Sequence, residues 1–387
     1  MTTGERDTRR AGSSGDTGEG RPVAPDVPAA GVEYPDLRAV VFTDRVPPGA
    51  AEELPALYNT LLSTEDWFEI EDGIKPTGAC LLESPHHVIL FHVAGDTIEV
   101  LNKEFAIGPR SAERACRALF RALPGSRRIH LEVLFPPWEL KLPKRVLYWT
   151  DHMIVDLPDT EEAYLASLGK RTRREVRNKS RRLLESHGDT FAEMVASADH
   201  PEEFVAALIA WKNERFNAHG KNTVWQENPG ADQGFAELVR RRGRVRITRI
   251  DGSVAAVNFL FPVGTAVYVL QAGFDPKYED FSLGFLNTYW NIADAIRTGH
   301  RELSLLWGQD DHKRRFGAKP RRATRLSVFR NRTARIYSLD EGWEVAWRNL
   351  RRNAHREYWL ARHAVGRRLS VVASRETGGA STDERRG

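Results

Sequence analysis

Three short strand-like segments follow one another at hairpin spacing in the second half of this chain. Residues 244–250, 254–261 and 266–272 are rich in β-branched and apolar residues, with Asp251-Gly252 and Val263-Gly264 between them. Asp-Gly between two such segments is a strong signal for a tight turn. The pattern predicts three consecutive antiparallel strands, which restricts this part of the chain to an α/β unit built on a mostly antiparallel sheet.

The elements around these strands are also readable from the sequence. The predicted order is strand 191–195, helices 201–218 and 232–242, the three strands, helix 282–297, strand 302–306, a helical turn at 310–316 and strand 324–330. Gly299 ends the helix at 297, as glycine often does. The first half of the chain predicts strands at 39–42, 87–93, 129–134 and 147–157, with helices at 51–62 and 111–123.

The length of 387 residues, with 41% hydrophobic and 28% charged residues, fits two globular domains with polar ends. We predict a disordered tail at 1–36, a first half at 37–157 and a second half at 158–332. A C-terminal helix is predicted within 333–372, with an aromatic stripe expected to dock on the body, followed by a disordered tail at 373–387. The composition of the tails, rich in Gly, Ser and charged residues, supports this division.

Composition and cysteine usage exclude several classes. No run of about 20 apolar residues is present and the first 20 residues are polar, so neither a membrane span nor a secretory signal is predicted. The two cysteines, Cys80 and Cys116, have no metal-ligand spacing, so we predict no metal site and no disulfide. The expected location is the cytoplasm.

A strongly basic segment links the two halves. Residues 161–185 predict one helix, and the net charge of +4 understates how densely arginine is concentrated in it. Such a helix is either a solvated charged face or a surface that binds phosphate groups. A second phosphate signal is the predicted helix start at Ser282 and Gly284, because the first N–H groups and the dipole of a helix attract anions.

Five ordered segments together carry a family resemblance. They are 173–183 (RREVRNKSRRL), 250–256 (IDGSVAA), 273–276 (GFDP), 281–286 (FSLGFL) and 307–317 (WGQDDHKRRFG). In this order they resemble the CelD-like branch of the GCN5-related N-acetyltransferase (GNAT) superfamily, which is similar in architecture to the Fem-type aminoacyl transferases. The resemblance covers about residues 160–330. It implies an α/β (α+β) fold of tandem GNAT-like domains with a degenerate first half, a mixed, mostly antiparallel sheet flanked by helices, and a basic C-terminal helix.

The resemblance also implies an activity and a donor site. It implies an acyltransferase that moves an acetyl or other acyl group from acyl-CoA to an acceptor amine by direct attack, without a metal. The implied donor-binding residues are Val269, Leu270 and Gln271 on a strand edge, Phe281, Ser282, Leu283, Gly284 and Phe285 at the helix start, and Lys313.

One of the catalytic candidates differs from the family pattern. Where the branch commonly has Tyr-Lys before Arg-x-Phe-Gly, this chain has His312-Lys313. Histidine transfers protons near neutral pH with little tuning, so His312 is the candidate base. Asp275, Asp310 and Asp311 are less favoured candidate bases, and Tyr268 and Tyr278 are candidate acids for the leaving thiolate. Asp310 and Asp311 alternatively cap the helix that follows them. The structural alternatives are that Asp275 caps the turn at Pro276 and that the tyrosines pack in the core.

The acceptor site is predicted from position alone. Trp211, Arg215, Trp307 and Asp310 are candidate acceptor-binding residues, with a small-molecule or peptide amine as partner. Two other functions compete with an acyl-CoA transferase: an aminoacyl-tRNA-dependent Fem-type transferase, which the basic helix suits, and a catalytically silent binding protein, which His312 in place of tyrosine permits. The sequence predicts neither the acceptor nor the oligomeric state.

Overall fold

The computed structural model describes residues 31–188, 191–196, 200–218, 220–309 and 311–337. Within these residues thirteen strands form one sheet, which is flanked by helices. The strands are β1 Val32–Tyr34, β2 Ala39–Phe42, β3 Gly78–Leu82, β4 His87–Ala94, β5 Thr97–Val100, β6 Arg128–Val133, β7 Lys144–Asp156, β8 Ala192–Ala196, β9 Arg244–Ile250, β10 Ser253–Val263, β11 Ala266–Phe274, β12 Glu302–Trp307 and β13 Lys319–Phe329. The α-helices are α1 Leu54–Tyr58, α2 Glu65–Ile70, α3 Pro109–Ala122, α4 Glu161–Ser167, α5 Lys170–His187, α6 Glu202–Asn217, α7 Val224–Glu227, α8 Ala231–Arg242, α9 Leu283–Arg297, α10 Asp311–Arg315 and α11 Arg332–Tyr337.

The sheet contains the same motif twice. Its strand order is β1-β2-β3-β4-β5-β6-β13-β7-β12-β11-β10-β9-β8. In the first half β3, β4 and β5 are antiparallel, α3 crosses over, and β6 returns parallel to β5. In the second half β9, β10 and β11 are antiparallel, α9 crosses over, and β12 returns parallel to β11. This confirms the predicted tandem α/β fold with a mostly antiparallel sheet.

The last strand of each half lies against the other half. β7 follows β6 in the chain but pairs with β12 and β13, and β13 follows β12 but pairs with β6 and β7. The β7–β13 ladder runs from Lys319–Ile154 to Val328–Lys144, so it joins the halves along nearly the full length of both strands. The segments on either side of the predicted 157/158 boundary are thus joined in the sheet by this exchange.

The core also crosses from one half to the other. One cluster combines Leu54 and Phe68 of the first half with Leu208 and Phe235 on α6 and α8 of the second. A second cluster lies beneath α9 and includes residues of α4, α5 and β10. Because the first half covers α6 and α8, the two halves bury one another's apolar surface.

Two predicted helices are each divided in the structure. The basic segment 161–185 forms α4 and α5, which are separated at Leu168 and Gly169, both in extended conformation. The segment 51–62 forms α1, and a separate 3-10 turn begins at Leu61. Asn59 ends α1 at φ 51°, and its side chain accepts a hydrogen bond from Thr265 N at 2.8 Å. A contact with the second half thus helps set where this helix ends.

Some elements carry too little sequence signal to be predicted. Strands β3 and β5 and helix α2 are short, and β1 lies within the segment 1–36 that was predicted as a tail. Strands this short are set by their partners in the sheet more than by their own residues. Most of the predicted C-terminal helix and the tail at 373–387 lie outside the described residues.

Two further findings concern the helices and the two cysteines of the described residues. None of the helices among them is long and apolar enough to cross a membrane. Cys80 and Cys116 are both buried and unpaired, and burial raises the pKa of each thiol to about 12. Both thiols are therefore protonated at neutral pH and face the core, which suits packing and not nucleophilic chemistry.

Candidate functional site

Strands β11 and β12 separate after a short parallel ladder. Only three pairs join them, ending at Tyr268 and Ser304. Beyond this point the register of β12 on β7 shifts between Ser304 and Trp307, and Leu306 has φ 56°. The irregularity turns β12 away, so within the described chain the edge of β11 from Val269 onward faces no strand. Its backbone groups are left for another partner.

An irregularity in β11 decides which side chains face this opening. Its pairing with β10 shifts where Phe259 and Leu260 face Gln271 and Val269, so that Leu270 is the extra residue. Such a bulge redirects the side chains on either side of it. Val269 and Ala272 line a cavity between the separated strands and α9, whereas Leu270 packs in the core shared with the first half.

A cavity of about 570 Å³ fills the space between the separated strands and α9. Its walls come from the β11 edge, the end of β12, the first half of α9 and α10. The residues that line it are Arg215, Asn258, Val269, Ala272, Phe274, Glu279, Ser282, Gly284, Phe285, Thr288, Asn291, Leu305, His312 and Lys313.

The start of α9 forms one end of this cavity. Ser282 adopts a left-handed conformation at φ 54°, and α9 begins at the next residue. Lys179 Nζ of α5 donates to Ser282 Oγ at 2.5 Å and lies 5.4 Å from the centre of the Phe285 ring. A Cβ on Gly284 would lie 3.3 Å from the Phe274 ring, so glycine keeps this approach open. N–H groups of a first helical turn and an ammonium group together suit an anion.

His312 lies on the opposite wall, on α10. Its Nε2 is 3.2 Å from Thr288 Oγ1 of α9. Its ring makes edge contacts with Phe285 and Phe316, at 6.0 and 5.2 Å between ring centres. Lys313 donates to the backbone oxygen of Trp307. An exposed imidazole held by one hydroxyl and two rings is accessible for proton transfer at the cavity wall.

The other catalytic candidates do not line the cavity. Tyr268 is 3% exposed, and its hydroxyl donates to Asn59 O at 3.3 Å on the face toward the first half. Burial raises the pKa of Tyr268 above its usual range. The hydroxyl of Tyr278 donates to Ile250 O at 3.4 Å in the core. The Asp275 side chain accepts a hydrogen bond from Lys277 N at 3.0 Å. It thus caps the turn at Pro276, which is the structural role that the sequence analysis gave as the alternative to catalysis.

The predicted donor residues divide in the same way. Val269, Ser282, Gly284, Phe285 and Lys313 line the cavity. The other members of the predicted set point elsewhere: Leu270 and Leu283 pack in the cores, Gln271 faces α6, and Phe281 lies 5.0 Å from the ring of His187.

Two of the predicted acceptor residues line a second, adjoining cavity. Trp211 and Arg215 on α6 face a space of about 300 Å³, which shares Arg215, Phe274 and Glu279 with the first cavity. Trp307 lies elsewhere, half exposed, with its ring 5.2 Å from that of buried His152. Asp310 lies outside the described residues.

Lys212 is a residue of this second cavity that sequence reasoning missed. Its ammonium donates to Gln271 on β11 and lies 5.4 Å from the centre of the Trp225 ring. Burial, followed by the nearby charge of Arg215, lowers the pKa of Lys212 to about 8. The sequence shows only a lysine in a helix, because its burial depends on β11 and α7.

Asn258 and Asn291 are the other missed residues of the first cavity. Both are 2% exposed, and their side chains are hydrogen-bonded to one another. A polar residue within the apolar stretch Ala-Val-Asn-Phe-Leu was the available sequence signal for Asn258. Among the described residues, no group of His, Cys, Asp or Glu side chains is arranged to hold a metal ion.

The first half lacks the equivalent strand edge. Its strand β5 ends at Val100, four residues long where β11 has nine. Asn102 folds back so that its side chain accepts from Leu90 N at 2.8 Å and donates to Val88 O at 3.2 Å, and the Tyr58 hydroxyl also bonds to Val88. The β4 edge is thus satisfied by the protein's own side chains.

Comparisons with known proteins agree with this architecture. Residues 170–314 match the family model described as an acetyltransferase (GNAT) domain. The crystal structure of FemX matches with 12% identity over 75% of this chain and 98% of that chain, at a TM-score of 0.56. A conserved protein of unknown function from Bacteroides thetaiotaomicron matches with 13% identity, 75% and 94% coverage and a TM-score of 0.48. No curated protein matches the sequence.

The family match spans α5 to α10, the segment that builds the separated strands and the cavity. The FemX match extends the shared fold over both halves. Residues 170–314 therefore form a GNAT-type acetyltransferase domain, and the fold across both halves is similar to that of FemX.

Proposed function

We propose that this acyltransferase-family protein transfers an acyl group, most simply acetyl, from acyl-CoA to an acceptor amine. The observation that carries the proposal is the unpaired edge of β11 beyond Tyr268, which runs along the cavity toward the start of α9. An extended amide-containing arm pairs with such an edge as a strand does. The phosphates then meet the first turn of α9, Ser282 and Lys179.

The reaction requires no covalent enzyme intermediate. The amine nitrogen attacks the thioester carbonyl carbon, the new C–N bond forms, the C–S bond breaks, and the thiolate leaves with the electron pair. We assign His312 as the base that takes the amine proton, which then neutralises the thiolate. Holding the two reactants together supplies much of the acceleration in such transfers.

We propose the cavity beside α6 as the acceptor site. Trp211, Lys212 and Arg215 line it, and Glu214 and Glu279 add acidic groups. The mixed charges fit an acceptor that carries an amine and an anionic group. The proposed setting is the cytoplasm, because the two cysteines are unpaired and acyl-CoA is an intracellular metabolite.

A second candidate donor is aminoacyl-tRNA, as in Fem-type transferases. The observation in its favour is the exposed basic surface of α5 beside the α9 start, formed by Arg171, Arg174, Arg177, Arg181 and Arg182. Arginines of this kind bind RNA phosphates in a salt-dependent manner. Salt-sensitive tRNA binding without acyl-CoA binding would favour this donor.

The experiment that tests the proposal is calorimetric titration with acetyl-CoA. We expect micromolar binding by the wild-type protein and its loss in Gly284→Trp, since an indole at residue 284 fills the cavity end. Gly108→Trp is the matched control, because Gly108 caps the corresponding helix of the first half and has open space around it. Absence of binding by folded wild-type protein would contradict the acyl-CoA proposal and leave aminoacyl-tRNA or a silent binding protein.

A further inference from the structure

A layer of polar side chains is buried between α9 and the sheet. Asn287, Asn291 and Asp294 follow one face of α9, and Thr248 and Arg246 of β9 face them. Arg246 is 1% exposed and pairs with Asp294 at 3.2 Å. Burying an arginine and several amides costs free energy unless every polar group is hydrogen-bonded.

The arginine fixes the orientation of both amides next to it. A guanidinium group only donates, so the Asn291 atom at 2.8 Å from Arg246 Nε is the acceptor Oδ1. Asn291 Nδ2 then faces Asn258 and donates to its Oδ1 at 3.2 Å. The remaining atom of Asn258, Nδ2, is a donor, and it is buried without a hydrogen-bond partner among the described residues.

This unpaired N–H belongs to a residue that lines the first cavity. Asn258 lies on β10 directly opposite Ala272 of β11, and both residues border the cavity. A buried donor left without an acceptor destabilises the folded protein. The cavity offers the space in which a ligand atom can accept this bond.

We propose that Asn258 Nδ2 donates a hydrogen bond to an amide carbonyl oxygen in the arm of the bound acyl donor. The inference rests on the proposed function. It goes beyond it by assigning a side chain to a particular part of the donor. Arg246, Asn291 and Asp294 are positioning residues, since they act by fixing the direction of the Asn258 amide.

The register of the sheet indicates that Asn258 contacts the arm of the donor and not its thioester. The strands separate after Tyr268 and Ser304, and Ala272 opposite Asn258 lies four residues further along β11, about 13 Å at 3.3 Å per residue. The phosphate end lies at the α9 start, beyond Phe274. An arm running from there to the point of separation passes Asn258 midway, with the thioester at the far end.

Three probes and two variants test the assignment. Asn258→Asp keeps the oxygen that accepts from Asn291 and exchanges the unpaired donor for a carboxylate oxygen, and Asn258→Ala removes the whole amide. Calorimetry with acetyl-CoA, free CoA and adenosine 3′,5′-bisphosphate distinguishes the contributions of the thioester, the arm and the nucleotide to binding. Asn287→Ala is the matched control, because Asn287 belongs to the same buried layer but does not line the cavity.

We expect both variants to bind acetyl-CoA and CoA about 5- to 10-fold more weakly, the range of one hydrogen bond, and to bind the bisphosphate like wild type. Asn287→Ala should bind all three probes normally. If a folded Asn258 variant binds CoA as tightly as wild type, this inference is overturned and the proposed function is not. A loss of affinity confined to acetyl-CoA has the same meaning. Failure of wild-type protein to bind any probe overturns the proposed function and this inference with it.

Discussion

Tyr268 and Ser304 are the last paired residues of the parallel ladder between β11 and β12. The two strands separate at this pair because the register of β12 on β7 shifts immediately after Ser304. The pair therefore marks one end of the cavity, as Ser282 and Lys179 mark the other. The predictions for Lys179 and His312 depend on this axis.

Lys179→Met should weaken acetyl-CoA binding by about 5- to 10-fold and reduce its dependence on salt, because one cation beside the phosphates is lost. Titrations at low and moderate ionic strength measure both effects. Lys170→Met, on the exposed first turn of the same helix, is the control. Unchanged affinity in Lys179→Met would mean that the phosphates bind elsewhere.

His312→Gln should lower kcat by about 10²-fold or more and leave the affinity for acetyl-CoA nearly unchanged, since general base catalysis contributes in this range. Release of free CoA thiol in an acceptor screen gives the rate. Thr288→Val, which removes the hydroxyl bonded to His312, should have a smaller effect of the same kind. An active His312→Gln enzyme would exclude His312 as the base.

Lys212 should make the free energy of unfolding depend on pH between about 8 and 10.5. Burial lowers its pKa to about 8 in the folded protein, so the unfolded chain binds more protons in this window and stability rises with pH. Urea unfolding of wild type and Lys212→Met at pH 7 and pH 10 tests the sign. We expect Lys212→Met to lose this rise and Lys170→Met to keep it.

Glu104 should produce the opposite slope between about pH 4.5 and 8. Burial raises its pKa to about 8, and its carboxyl group lies against His152, whose pKa burial lowers to about 4. The folded protein therefore holds a proton on Glu104 that the unfolded chain releases near pH 4.5. Stability from this group is lost as pH rises through 8, at no more than about 1.4 kcal/mol per pH unit.

Glu104→Gln should flatten this slope, since its amide stays neutral at every pH. The measurement is the urea midpoint from pH 6.5 to 8.5. Exposed Glu83→Gln serves as the control and should retain the wild-type slope. His152 affects the pH dependence of stability only below pH 6.5, where protonation of the unfolded chain lowers stability. It therefore does not change the slope measured from pH 6.5 to 8.5.

The exchange of β7 and β13 predicts that the two halves unfold together. Leu326 of β13 is fully buried in the core it shares with Leu131 of β6. Leu326→Ala should cost about 2–5 kcal/mol and lower the stability of both halves in a single transition. Fluorescence and far-UV circular dichroism should give one common midpoint, and separate midpoints would show independent halves.

The same exchange predicts that residues 31–157 do not fold alone. Without β13, strand β6 loses its partner on one side and β7 loses both. Circular dichroism of this fragment should lack a cooperative transition, and addition of residues 158–337 in trans is expected to restore it. A stably folded fragment would contradict the structural importance of the exchange.

The sequence by itself determined the elements with strong local signals. The hairpin turn at Asp251-Gly252, the helix ending before Gly299 and the amphipathic α3 follow from turn chemistry and periodicity, which act within a few residues. The five motif segments led to the GNAT superfamily. They also predicted Ser282, Gly284 and His312, which the fold brings to one cavity.

Tertiary structure alone decided the contacts between distant segments. The exchange of β7 and β13, the separation of β11 from β12 and the burial of Lys212 depend on contacts between segments that are distant in the sequence. Tyr268 and Asn258 show the reason most clearly: both lie in apolar strands, and only strand register and the β11 bulge turn one into the core and the other toward the cavity. A side chain's face in a sheet changes with a one-residue shift, and local sequence does not fix that shift.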